Sequence, residues 1–316
     1  MPFTVALAPM AGYTDRSFRV ISSRYGMDYS TTEMVSVKAL YYGDKKTRRL
    51  MSVSPEEAPV SLQLFGDDAE QFRAVIEKLN EGELPFKSID INMGCPAPKI
   101  VKTGSGSALL KTPDKARAIM RAAVETSRIP VSVKIRKGFL EGDTEGMAIA
   151  KIAEEEGVEF VTVHGRSREA YYQGRADWDF IAEVAREISI PVVGNGDIAS
   201  ADEALSHADA GVSGVAIGRG AIGNPFIFRE IKAALSGEAI PAPSAEEIIR
   251  VAKEHLALSI RDKGEHLGVI EMRKHFIGYL KGMKDAKRHR SHILSLSDPE
   301  EIVRYLDEIA RLSSTD

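Results

Sequence analysis

The 316-residue sequence holds one cysteine, one tryptophan and no apolar run approaching the roughly 20 residues that cross a bilayer. A lone Cys95 rules out an intrachain disulfide, a cysteine-rich zinc site and an iron–sulfur cluster, leaving either a small core hydrophobe or a reactive thiol. No metal site is expected. The first ten residues lack the basic stretch and apolar run of a secretory signal, so the chain is expected to stay in the cytoplasm with no membrane contact. The loop GSGSALLK at 104–111 lacks the Gly-Lys-Ser/Thr ending of a P-loop, and nothing points to NTP hydrolysis. A formal net charge of −4 argues, on average, against nucleic acid.

What is present is a repeat of strand and helix patterns. Short β-rich runs at 5–9, 29–35, 60–65, 89–93, 131–136, 160–164, 192–195 and 215–218 alternate with stretches such as 69–79, 113–126 and 144–156, whose apolar residues recur every three or four positions. Eight such units predict an α/β fold, a parallel (β/α)8 TIM barrel, with an open doubly wound sheet as the alternative. The segment SGEAIPAPS at 236–244 reads as a linker, and beyond it only helical periodicity is found, at 245–263, 268–281 and 299–312. The expected organisation is a barrel over 1–238 and a small all-helical C-terminal domain over 244–316.

The average charge conceals an asymmetry. Residues 240–316 carry 13 basic and 13 acidic residues, whereas the rest carries 29 and 33. Over 273–290, Arg273, Lys274, Lys281, Lys284, Lys287, Arg288 and Arg290 oppose a single Asp285. This stretch is either a phosphate-binding footprint or a solvated helix face.

Strand parity locates the chemistry. Val131, Val133 and Ile135 alternate with Ser132, Lys134 and Arg136, and the strands bearing Gln63, Asn92 and His164 alternate the same way. The polar faces therefore point into the barrel. Barrel interiors are mostly Val, Ile and Leu, so this polarity favours a ligand over an inert polar layer. Asn195-Gly196-Asp197 and Gly218-Arg219-Gly220 follow the last two strands, where barrels often bind phosphate through backbone N–H groups. The G-x-G-x-x-G match at 218–223 stands after the eighth strand rather than the first, which argues against a Rossmann unit. Cys95 lies between Gly94 and Pro96 in DINMGCPAPK (90–99), at the end of a polar strand, which favours a reactive thiol. An ordinary thiol is mostly protonated near neutrality and can serve as an acid; neighbouring cations would favour thiolate.

These segments together resemble the tRNA-dihydrouridine synthase family. The likeness runs over 7–228, on APMAGYTDRSFR (8–19), QLFG (63–66), the Cys95 segment, KIR (134–136), HGR (164–166), NGD (195–197) and GR (218–219), and continues more loosely through the tail. It implies bound FMN, NADPH as reductant, and reduction of the C5–C6 double bond of uridine in tRNA. Position by position it implies Pro9, Met10 and Ala11 against the flavin, with Gln63 and Lys134 at its pyrimidine edge. His164 would hold the cofactor, and Asn195, Gly196, Asp197, Gly218 and Arg219 would surround its phosphate. Cys95 is the implied proton donor, Asn92 and Arg136 the uracil contacts, and Lys99, Arg166 and Arg168 the nearby RNA contacts. A monomer is expected. Two rivals stand beside this reading: a flavin barrel acting on a free pyrimidine or dihydroorotate-like substrate, disfavoured by the helical tail, and an RNA-binding barrel without catalysis, for which Cys95 and Lys134 give no support.

Overall fold

The computed structural model describes residues 2–45 and 47–313. Eight parallel strands run in the order β1 (Thr4–Leu7), β2 (Tyr29–Thr31), β3 (Val60–Phe65), β4 (Ser88–Met93), β5 (Val131–Arg136), β6 (Phe160–His164), β7 (Val192–Asn195) and β8 (Gly214–Ile217). Each pairs with the next, and β8 pairs with β1 from Thr4↔Gly214 to Leu7↔Ile217. That closure makes a barrel and excludes the open sheet. One expected strand is broken: the run at 29–35 leaves the ladder after Thr31 and resumes as Val35–Ser36, which pairs with Leu64–Phe65. Thr32 causes the break, because its hydroxyl accepts from Gln63 N at 3.0 Å and donates to Glu33 O at 2.8 Å, competing with the ladder.

Residues whose side chains alternate along a strand divide between two environments. Val133, Ile135, Val161 and Val163 bury outward against Ile119, Ile149 and Phe180 of the surrounding helices. Inward, Ala6, Tyr29, Phe160, Val193 and Ala216 form an apolar layer. Tyr29 and Phe160 begin their strands, so this layer seals the N-terminal end of the barrel. Above it the interior turns polar, with Gln63, Asp90, Asn92, Lys134, His164 and Asn195.

Four helices follow the barrel: Ala245–Lys263, Glu265–Tyr279, Ala286–Ser295 and Pro299–Ser313. The Ala286–Ser295 helix was not foreseen, since only His289 and Ile293 of it are buried and its apolar periodicity is correspondingly faint. The tail docks on the Arg16–Ser23 helix through one shared core that includes Val20, Ile21, Phe226, Leu256, Phe276 and Leu306. Two ion pairs, Arg16–Asp262 and Lys263–Asp15, close this contact. No helix among the described residues is long and apolar enough to cross a membrane.

Candidate active site

The strands end at one mouth, where their loops and the tail enclose a cleft of about 1300 Å³. Pro9, Met10, Ala11, Gln63, Asn92, Cys95, Lys134, Arg136, His164, Arg166, Asn195, Gly196, Asp197, Gly218 and Arg219 all line it. Lys99 and Arg168 do not: Lys99 is exposed on the short Pro98–Val101 helix, and the Arg168 guanidinium lies over Phe139 at 5.1 Å and Tyr171 at 5.8 Å.

A directed hydrogen-bond relay forms the floor beneath Cys95. Ser132 Oγ donates to Asp90 Oδ1 at 2.7 Å, and Gln63 Nε2 donates to Asp90 Oδ2 at 2.7 Å. With its Nε2 on Asp90, Gln63 turns its carbonyl toward Asn92, whose Nδ2 donates to it at 2.9 Å. Asn92 Oδ1 is thereby left to accept from Gly94 N at 3.1 Å and Cys95 N at 2.9 Å. The loop is pinned from other sides too. Ser107 donates to Cys95 O through N and Oγ, and Arg136 Nε donates to Gly94 O at 2.8 Å. Gly106, at φ +61, lies so close that a Cβ there would come within 2.9 Å of Cys95 O. Burial pushes the Cys95 thiol above its ordinary pKa, against the opposing pull of the Ala97 backbone N–H and the Arg136 and Lys134 charges, so it carries its proton at neutral pH.

Positive charge dominates the inner wall. Lys134 is half-buried, donates to Asn195 Oδ1 at 3.0 Å, and is drawn down to about 8 by burial and by Arg136. Asn195 is itself fixed by donating to Ala216 O at 2.7 Å. Burial and these cations hold His164 well below its usual pKa, so its imidazole is neutral. Arg136 is brought down to about 10 by burial, while its NH1 binds Ser167 O at 2.7 Å and Tyr171 O at 2.9 Å. Tyr171 stands at φ +49, an uncommon conformation for a bulky residue that this arginine secures.

The loop after β7 is also prearranged. Gly196 takes φ +135, and a Cβ there would sit 2.5 Å from Ala176 Cβ. Trp178 Nε1 donates to Gly196 O at 3.0 Å. Arg166, 3% exposed, holds both oxygens of Asp197 at 2.6 and 2.7 Å and binds the carbonyls of Gln173 and Gly174, so its Nε and NH2 donors are used within the protein. Arg219 reaches Asp197 at 3.3 Å from the solvent side and lies 5.2 Å above the Tyr172 ring.

Sequence reasoning passed over Tyr13, Met34, Tyr171 and Tyr172, which also line the cleft. An aromatic pair among arginines in the loop after β6 was the available signal for the last two. From the basic run, Lys274, Lys281 and Arg290 reach the cleft. Of the others, Lys287 and Arg288 stand together at the start of the Ala286–Ser295 helix, and Arg273 donates to Leu296 O at 3.3 Å.

A family model described as dihydrouridine synthase (Dus) matches residues 6–314. The chain belongs to the dihydrouridine synthase family. Among its relatives, tRNA-dihydrouridine synthase B of Pseudomonas putida is 41% identical over 298 residues, covering 93% of this chain and 87% of the relative. The synthase B of Shewanella oneidensis is 38% identical, with 96% of both chains covered, and a probable tRNA-dihydrouridine synthase of Rickettsia conorii is 38% identical, with 93% and 89% covered. At the level of fold alone, the structure resembles DHODH from Eimeria tenella solved in complex with ferulenol (TM-score 0.52, 14% identity, 74% of this chain and 82% of that one). Membership of the dihydrouridine synthase family makes this chain a flavin-dependent oxidoreductase.

Proposed function

We propose that this chain reduces the C5–C6 double bond of uridine in tRNA to dihydrouridine, with FMN as its bound flavin and NADPH as the electron donor. The observation that carries the reading is Cys95: a protonated thiol on a loop whose backbone is held by three sets of hydrogen bonds, in a cleft also lined by Lys134 and Arg136.

The residues present suit a phosphate-bearing flavin. Lys134 is a half-buried cation whose one hydrogen bond within the protein goes to a neutral amide, leaving donor capacity for an anion. Gly218 leaves open a space that a Cβ would fill, 3.6 Å from Met10 Sδ and 4.0 Å from Ala8 Cβ, beside the apolar wall of Pro9 and Ala11. Pro9, Met10, Ala11, Gln63, Lys134 and His164 would hold the ring system, and Gly196, Asp197, Gly218 and Arg219 the phosphate. When bound, the flavin supplies the hydride that goes to C6 of the uracil.

Cys95 then completes the reduction. Its S–H gives a proton to C5, and the thiolate left behind regains one from solvent. Arg136 and Lys134 lie close enough to stabilise negative charge on the uracil as it develops. Asn92 acts on this step through the loop, because its side-chain oxygen is committed to the Gly94 and Cys95 N–H groups.

The target uridine must leave its stack to enter the cleft, at a cost of a few kcal/mol that contacts elsewhere on the RNA offset. Lys281 and Arg290 of the tail line the same cleft as Cys95. A free pyrimidine has no phosphates for them, which favours a polynucleotide over the dihydroorotate-like alternative. Residues 244–316 are accordingly assigned to RNA binding. Purified holoenzyme, incubated anaerobically with NADPH and tRNA from a strain lacking this gene, is expected to form dihydrouridine detectable by nucleoside mass spectrometry. Turnover of free pyrimidines with none in tRNA would support the alternative instead.

A further inference from the structure

The segment linking β2 to β3 carries charge and aromatic surface for which the cleft has no use. Residues 38–49 contain five basic residues and one acidic residue, in a chain of net charge −4. Tyr41 and Tyr42 are 50% and 73% exposed and stand edge to face at 5.2 Å. Lys38, Lys45, Arg48 and Arg49 are exposed around them, and among the described residues none has a carboxylate partner. Some exposed arginines elsewhere on the barrel are paired, Arg73 with Glu125 at 3.1 Å and Arg121 with Glu156 at 2.8 Å.

Residues 34–51 of the segment leave the cleft side of the barrel and return to it. Met34 lines the cleft, and Val35–Ser36 pairs with Leu64 and Phe65, the two residues after Gln63. The Val37–Tyr41 helix leaves from there, and the Thr47–Met51 turn comes back to pack on Val35–Ser36. Two extended steps and a five-residue helix put Tyr41 within about 15 Å of Met34 along the chain.

We infer that this basic and aromatic patch is a second RNA-docking surface, on the barrel itself, which holds the strand flanking the target uridine. Unstacked bases lie against Tyr41 and Tyr42, a contact that tolerates any base, and the four cations neutralise the adjoining phosphates. Holding the flank stabilises a uridine out of its stack without any contact to the reacting ring. The inference rests on the proposed reduction of uridine in RNA.

The test compares holoenzyme with Tyr41→Ala/Tyr42→Ala and Arg48→Ala/Arg49→Ala double variants, using tRNA from a strain lacking this gene across a salt series. The tyrosine variant is expected to lose tenfold or more in tRNA affinity. The arginine variant is expected to flatten the slope of log affinity against log salt by about 1.5. Flavin content, melting temperature and NADPH-driven flavin reduction should match wild type, and Tyr41→Phe/Tyr42→Phe should retain tRNA affinity. Wild-type tRNA affinity and slope in both alanine variants would overturn the inference while leaving the reaction standing. So would unchanged tRNA affinity with lost binding to phosphatidylserine vesicles, which would make the patch a lipid surface. A wild-type enzyme that neither binds nor reduces tRNA would overturn the underlying reading.

Discussion

Replacing Asn92 by alanine removes the last link of the relay that positions Cys95. Two backbone N–H groups, of Gly94 and Cys95, lose an acceptor at 3.1 and 2.9 Å, and the Gln63 carbonyl loses a donor at 2.9 Å. Each buried polar group left unsatisfied costs about 1–3 kcal/mol. Cys95 is partly exposed, so water relieves some of this penalty, and about 2–3 kcal/mol of stability is expected to be lost. The functional cost should be larger. Displacing a reacting group by about 1 Å costs on the order of a hundredfold in rate. Uridine reduction should therefore fall about 100-fold in kcat, with flavin content and NADPH-driven flavin reduction unchanged. Because burial is what raises the Cys95 pKa, a loosened loop should also speed alkylation of the thiol at pH 8. Single-turnover kinetics and iodoacetamide labelling give the two readouts. Uridine reduction within threefold of wild type would refute the relay, and a rise in KM at constant kcat would make Asn92 a simple substrate contact.

Three further outcomes follow from the same geometry. Lys134, with its pKa near 8, should lose its charge as pH rises, so affinity of the flavin-free chain for FMN should weaken between pH 7 and 9; Lys134→Met should abolish that dependence, and a flat wild-type profile would contradict it. His255 is buried between Asp15, Lys263, Lys274 and His275 and is held near 4 by burial, so above about pH 6.5 its imidazole is neutral whether folded or unfolded. As pH falls from 6.5 toward 4 the unfolded chain takes a proton that the folded chain refuses, and about 2 kcal/mol should be lost by pH 5; thermal melts at pH 7.5 and 5 check this, and equal stability would contradict it. Asp197→Ala leaves the buried Arg166 guanidinium without its carboxylate; since Asp197 is one-third exposed, about 2 kcal/mol is expected, read as a lower melting temperature with reduced flavin retention.

The barrel was legible because each strand kept one apolar face. Val131, Val133 and Ile135 could pack only against helices, which turned Lys134 and Arg136 inward, and β5 has the bounds its pattern gave. The break after Thr31 was not legible, because β-branched Thr31 and Thr32 read as strand while the Thr32 hydroxyl takes hydrogen bonds outside the regular pairing. Nor could the sequence show where polar donors would be used. Arg166 reads as a surface cation after HG, yet it is buried on Asp197. Lys274 belongs to a basic run, yet its ammonium binds Gly12 O and lies 5.2 Å from the Tyr13 ring. These outcomes depend on pairings between distant segments, and local patterning carries no record of them. The same holds for His255, which stacks on Phe18, and His275, which tilts against it, contacts that exist only with the tail docked.

The central claim is that Cys95 supplies a proton to uridine and has no part in reducing the flavin. The direct measurement is Cys95→Ala studied in two steps: anaerobic reduction of its bound flavin by NADPH, followed by mixing of the reduced protein with tRNA lacking dihydrouridine. Wild-type flavin content and reduction, with a loss of 100-fold or more in reoxidation by tRNA and in dihydrouridine formed, is the predicted result. Dihydrouridine formed at the wild-type rate by Cys95→Ala would contradict the account.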